Sequence, residues 1–315
     1  MITTALRTAL VLGSGIAALA LTGTAAQAAA APTLDRDVAY ARDGAIYVTR
    51  GAGETRLTEA DGNSRPRWST DGARIAYLHG GELWQMNADG ADKHRVTEGA
   101  AAGAAYSPDG QWIAYSAPAC LGGPGVYRVR AAAPHGAPEV LFPAACKDQA
   151  APAPTAPNGP ATGDLATRLS KDDAVAWSPD GTKIAFRGGD CESVFDNCLS
   201  IGNLTTGMER TLAGFGGGGS ADGFATVPAF NADGSKVSWT TAAEGEQVHV
   251  TEANADGTAH RQVGSAQDRE LAYVGATGKA LVAGRHDGRS WLVLVDLASG
   301  ARTPFRQGSQ PSVRA

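Results

Sequence analysis

The chain has 315 residues, 43% of them hydrophobic and 19% charged, with a formal net charge of −5. A mildly acidic balance of mixed signs excludes the basic footprint of a nucleic-acid-binding protein. Four cysteines and six histidines leave disulfide and metal chemistry to be judged by spacing.

The first predicted element is a targeting segment. Met1 to Arg7 is a short n-region with one positive charge. Thr8 to Leu21 is apolar but short for a membrane span, and Ala26-Gln27-Ala28 fits a small-x-small cleavage pattern. Residues 1–28 read as a secretory signal peptide, not an anchor, because no basic stop-transfer flank follows. The lack of a twin arginine points to the general, Sec-type route, and the lack of a cysteine at the cleavage region argues against a lipid anchor. The expected location is secreted or periplasmic/cell-envelope. Nothing after residue 28 is apolar for long enough to span a membrane once the signal is removed.

Residues 29–315 repeat one unit, and they are expected to form a single domain. The loudest phrase is an aromatic followed by Ser/Asn-x-Asp-Gly: Trp68-Ser-Thr-Asp-Gly72, Tyr106-Ser-Pro-Asp-Gly110, Trp177-Ser-Pro-Asp-Gly181 and Phe230-Asn-Ala-Asp-Gly234. These are turn residues: Pro suits the first central position, Asp bonds its own backbone, and Gly leaves the turn without steric cost. Short alternating strands follow at Arg74–Tyr77, Trp112–Tyr115, Lys183–Phe186 and Lys236–Trp239. Third strands are predicted at Glu82–Trp84, Gly125–Tyr127, Cys198–Ile201 and Gln247–Val250. Fourth strands are predicted at Arg95–Thr97, Glu139–Phe142, Arg210–Leu212 and Arg261–Val263. Four hairpin-linked strands per repeat make a propeller blade.

Residues 270–305 carry a weaker copy, with Gly275-Ala-Thr-Gly278 at the turn. Residues 37–58 hold three strands but no first one. Gly308-Ser-Gln-Pro-Ser-Val313 matches Asn63-Ser-Arg-Pro-Arg-Trp68, the opening of a blade. The expected fold is an all-β, six-bladed propeller of four-stranded antiparallel blades. Pro311 to Arg314 is expected to close the ring by pairing with Val38-Ala-Tyr40, because an open ring would leave an exposed sheet edge.

The phrase aromatic-Ser-Pro-Asp-Gly-x-x-Ile-Ala-aromatic, with the Asn-Ala-Asp-Gly turns at Asn87–Gly90 and Asn254–Gly257, resembles the TolB-type WD-like propeller repeat across essentially all of 29–315. The resemblance implies architecture. The first blade is expected close to the cleavage site, without the separate α/β domain that precedes the propeller in TolB proteins. Function has to come from a site.

The run Gly214–Gly219 leads into a strand, so it reads as an inter-blade connection, not a phosphate cradle. Residues 143–173 form a Pro/Ala-rich inter-blade loop. Inter-blade connections share one face with the loops between second and third strands, and all four cysteines fall there. Pairing is expected as Cys120–Cys146 and Cys191–Cys198. No Cys-x-x-Cys stands beside a histidine to make a zinc site.

His79 and His286 occupy matching loop positions, but on blades that are not adjacent, so no shared metal is expected. The repeated Asp71, Asp109, Asp180 and Asp233 read as turn residues. No Gly-x-Ser-x-Gly elbow is present; Gly218-Gly-Ser-Ala-Asp222 fails at its last position. No cofactor and no catalytic residue are expected.

The remaining candidates rim the central channel: Ser64, Arg65, Asp172, Asp173, Thr226, Asp268, Glu270, Ser309 and Gln310. Their acidic bias suits a basic peptide or a cation, against the alternative of a solvated rim. The functional expectation is a monomeric scaffold that binds a protein or peptide on its loop-bearing face. The alternative is a propeller-type enzyme, a polysaccharide lyase or hydrolase-like protein working at the channel mouth.

Overall fold

Each Asp-Gly turn folds by bonding to itself. Ser69 Oγ donates to Asp71 Oδ1 at 2.6 Å, the Ala73 amide donates to the same oxygen at 2.9 Å, and the Arg74 amide donates to Ser69 Oγ at 2.8 Å. Gly72 leaves the turn at φ +66°, a region that favours glycine. Ser178/Asp180 and Asn231/Asp233 repeat this pattern, with Asn231 Oδ1 in place of the serine hydroxyl.

The computed structural model describes residues 32–120, 124–147, 173–188, 198–215 and 223–315. The expected signal peptide, Asp172, Cys191, residues 148–172 of the inter-blade loop and most of the Gly214–Gly219 run lie outside these. The described strands form six four-stranded antiparallel sheets arranged as a ring.

Blade 1 contains β1 (Val38–Arg42), β2 (Ala45–Arg50) and β3 (Gly53–Arg56). Blade 2 contains β4 (Asn63–Trp68), β5 (Arg74–His79), β6 (Glu82–Asn87) and β7 (His94–Arg95). Blade 3 is β8 (Ala105–Tyr106), β9 (Trp112–Pro118), β10 (Pro124–Arg130) and β11 (Glu139–Phe142). Blade 4 is β12 (Ala176–Trp177), β13 (Lys183–Arg187), β14 (Leu199–Asn203) and β15 (Glu209–Ala213). Blade 5 is β16 (Gly223–Phe230), β17 (Lys236–Ala243), β18 (His249–Asn254) and β19 (Arg261–Val263). Blade 6 is β20 (Arg269–Tyr273), β21 (Lys279–His286), β22 (Arg289–Asp296) and β23 (Arg302–Gln307). The last strand, β24 (Ser309–Val313), is the inner strand of blade 1, giving the order β24-β1-β2-β3.

The ring closes as the repeat predicts. Val313 pairs with Val38, Ser312 with Ala39 and Ser309 with Ala41. Just past the strand, the Arg314 amide donates to Asp37 O at 2.9 Å, and its guanidinium reaches Asp37 Oδ2 at 3.2 Å. Blade 2 grips the same strand: Arg67 Nη1 donates to Pro311 O at 3.1 Å, and the Trp68 amide to Ser312 Oγ at 3.2 Å.

No central core exists; six apolar layers lie between neighbouring blades. Ile75 and Tyr77 of β5 pack with Ile46 and Val48 of blade 1, while Ala76 and Leu78 pack with Ile113 and Tyr115 of blade 3. Period-two alternation sends successive side chains to opposite neighbours, so both faces must be apolar. The layer that seals the ring joins Val38 and Tyr40 to Leu281, Leu292 and Phe305 of blade 6.

Two strand expectations shift: the third strand of blade 5 is His249–Asn254, not Gln247–Val250, and the fourth strand of blade 2 moves back by one residue. The outer strand of blade 2 is His94–Arg95, not Arg95–Thr97, because the Val96 and Thr97 amides converge on one carbonyl, Leu83 O. The inner strands of blades 3 and 4 shrink to two residues each. Ahead of them, Gly103 and Ala174 bridge in parallel directly between the blades.

Candidate functional site

The channel-facing strands of blades 1, 2, 5 and 6 each carry a β-bulge. The extra residue is left-handed at Arg65 (φ 53°), Val227 (φ 53°), Glu270 (φ 57°) and Gln310 (φ 58°). None is glycine, and three precede proline, which restricts them further. The strain, about 1 kcal/mol or more each, has a visible return. At three of the four it turns an amide out of its own ladder toward the preceding blade. Glu270 N donates to Thr240 Oγ1 of blade 5 at 2.8 Å, Gln310 N to Glu270 Oε2 of blade 6 at 2.9 Å, and Arg65 N to Gln310 Oε1 of blade 1 at 2.7 Å.

Side chains finish the circuit. Arg65 Nη1 meets Glu270 Oε1 at 3.0 Å, with side-chain exposures of 1% and 10%. In blade 5, Thr240 is the cross-strand partner of Thr226, whose hydroxyl donates to Asp173 Oδ1 of blade 4 at 3.2 Å. The Gly103 amide of blade 3 donates to Asp173 O at 3.1 Å. A Cβ on Gly103 would stand 2.9 Å from Arg65 Cδ, so glycine makes room for the arginine to pass. The circuit touches all six blades.

Five of the sequence-predicted rim residues, Arg65, Asp173, Thr226, Glu270 and Gln310, thus lie in the circuit. Asp173 is fully buried, and desolvation raises its carboxyl above the usual range, against the opposing pull of Arg187 and Arg65. Asp268, 2% exposed, is held by the Arg302 guanidinium and by Ser265 N at 2.6 Å. Arg65, Asp173, Thr226, Glu270 and Gln310 come together, whereas Asp268 sits apart in the connection to blade 6. Thr240 and Arg302 were not singled out in the sequence. Pro66, Pro228 and Pro311 follow three of the four bulge residues, but a following proline does not by itself mark a left-handed position.

Outward from this ring, on the loop-bearing face, two pockets adjoin. One, ≈490 Å³, is lined by Gln247, Gln267, Arg269, Arg285 and Gln310 among others. The second, ≈470 Å³, is lined by Arg42, Asp43, Arg289 and Gln307 among others; Ser290 and Ser309 border both.

The cysteines Cys120 and Cys146 form a disulfide, with Cα atoms 5.8 Å apart. Cys198 is also disulfide-bonded; its expected partner, Cys191, lies outside the described residues. His79 and His286 pack edge-on against Trp84 and Trp291, with ring centroids 5.1 Å and 5.3 Å apart, and blade 1 separates them. Asp71, Asp109, Asp180 and Asp233 are turn carboxylates, held below the usual range chiefly by hydrogen bonds from the serine two residues before, or after in the case of Asp233. Among the described residues no three His, Cys, Asp or Glu side chains group as a metal would require.

The same architecture occurs in solved proteins of different kinds. TolB from Acinetobacter baumannii aligns over 90% of this chain and 67% of its own, at 16% identity and a TM-score of 0.63. The fold is that of a TolB-like propeller. A chain of a nidogen/laminin complex aligns over 89% of this chain and 98% of its own, at 10% identity and a TM-score of 0.60. An oligogalacturonate lyase in complex with manganese aligns over 84% of this chain and 70% of its own, at 13% identity and a TM-score of 0.51. No protein-family model and no curated protein matches the chain. At these identities the likeness is one of fold alone, and a shared fold does not fix function.

Proposed function

We propose that this TolB-like propeller is an exported scaffold that holds a protein or peptide on its loop-bearing face, beside the channel mouth. The observation that carries the reading is the pair of adjoining pockets there, set above a ring in which Glu270 and Gln310 are taken up by neighbouring blades. Loops on a rigid scaffold are the usual place for recognition. The Cys120–Cys146 bridge fits an oxidising compartment. No described helix is long and apolar enough to cross a membrane. Propeller relatives include a chain solved within a protein complex. The lyase relative keeps the enzyme reading as the second one.

A photo-crosslinking side chain placed at Ser290, on this face, separates the two. Exposure to the native secretome should give one discrete protein adduct, absent when the crosslinker is moved to Asp89 in a turn on the opposite face. Equal labelling at both positions, or release of unsaturated uronides from polygalacturonate by the purified protein, would overturn the scaffold reading.

A further inference from the structure

The acid that lines the larger pocket is already engaged. Glu270 lines the larger pocket, yet Oε1 is held by Arg65 and Oε2 by the Gln310 amide. What remains to face an incoming group is arginine. Arg269 stands opposite Ala283 in the β20–β21 ladder, and Arg285 is two residues along β21, so the two are diagonal neighbours on one sheet face. Ser290 lies directly across from Arg285. Arg289, opposite His286, projects from the other flank of the same hairpin into the second pocket. All three arginines are exposed and form no ion pair among the described residues. Arg269 and Arg289 make no side-chain hydrogen bond there, and Arg285 donates only to Gly288 O at 2.7 Å. Arg42 is already matched by Glu54 at 2.6 Å, which leaves Asp43 as the one free acid in the lining.

We infer that the paired pockets bind an acidic peptide, whose carboxylates dock on Arg269 and Arg285 on one side of the β21–β22 hairpin and on Arg289 on the other. This rests on the scaffold reading above and names the chemistry of its ligand. Guanidinium forks recognise carboxylates through two parallel hydrogen bonds. The strands fix the backbone positions from which the three side chains reach. Between the charged groups, Gln247, Ser290 and Ser309 offer partners for peptide amides. Neither pocket is lined by an aromatic ring, the platform on which a sugar would stack, so a peptide is favoured over an acidic polysaccharide.

The test uses fluorescein-labelled hexaglutamate, with hexalysine and trigalacturonate as the other probes, titrated against the purified protein by fluorescence anisotropy at low salt. Hexaglutamate should bind, hexalysine should not, and added salt should weaken binding. Arg269→Gln/Arg289→Gln should lose at least about tenfold in affinity with an unchanged melting temperature, because neither side chain has an internal partner to lose. Lys93→Gln, in a turn on the opposite face, should bind like the parent. Hexaglutamate binding that is absent, or equal in the double variant, would overturn the inference. So would arginine-dependent binding of trigalacturonate alone. If the Ser290 adduct forms while hexaglutamate fails, the scaffold reading stands and only the acidic-peptide assignment falls.

Discussion

Arg65 and Glu270 meet at 3.0 Å although their blades are not neighbours: blade 1 lies between them, and its Gln310 bonds both. Removing one partner of a buried pair strands the other, at a cost of about 3–5 kcal/mol. Arg65→Met should therefore lower the melting temperature by roughly 10 °C. In a double-mutant cycle with Glu270→Gln, the coupling should reach about 1 kcal/mol. Strictly additive losses would show that the contact is incidental.

Deleting residues 308–315 removes β24 and leaves β1 as an open edge. The ladder to Val38–Ala41 and the Arg314–Asp37 contacts go with it. Thermal unfolding should fall by at least about 5 °C, and light scattering should show self-association through the exposed edge. A truncated protein that melts and elutes like the parent would contradict the closure.

The turn carboxylates make an acid-sensitive contribution. Asp180 is pulled down to about 2 by the Ser178 hydroxyl and the Thr182 amide. Its folded value lies below the unfolded one, so the stabilisation is full above about pH 4. It fades as the pH falls through the folded value. Asp180→Asn should melt slightly below the parent at neutral pH, and the two curves should converge between about pH 4 and pH 2. A gap that persists in acid would assign the effect to the turn's shape and not to its charge.

The Cys120–Cys146 bridge closes a loop with a sequence separation of 26. Chain-entropy arithmetic gives it about 3.5 kcal/mol. Peptide mass mapping of the oxidised protein should find no free thiol and a second bridge, Cys191–Cys198. Cys146→Ser should melt several degrees lower; an unchanged melting temperature would show that reduction leaves the unfolded chain equally restrained.

The blade pattern was legible because its causes are local. Trp177-Ser-Pro-Asp-Gly181 contains its own turn, and the alternation in Arg74–Tyr77 states that both faces of the strand are covered. The ring closure was legible too, through the match of Ser309–Val313 to the start of blade 2. The bulges were not. Nothing about Glu270 itself prefers a left-handed backbone; its amide bonds Thr240 of the neighbouring blade. The same holds for the acids. Glu270 and Asp268 read as a charged rim because their partners, Arg65 and Arg302, are distant in sequence. An unpaired arginine such as Arg269 is equally silent, since only the folded sheet sets it beside Arg285.

Because Val38 finds its inner partner in Val313, synthesis order and assembly order are opposed. The earliest strands to emerge cannot finish their sheet until almost the whole chain has followed. A nascent polypeptide therefore carries an unfinished first blade until its last strand emerges, with the apolar side chains of Val38 and Tyr40 still awaiting Phe305. Ring closure then becomes a terminal checkpoint, and any interruption of translation before residue 309 releases a product with a sticky seam. A folding factor that surveys new chains would have one defined feature to read: whether that seam is shut.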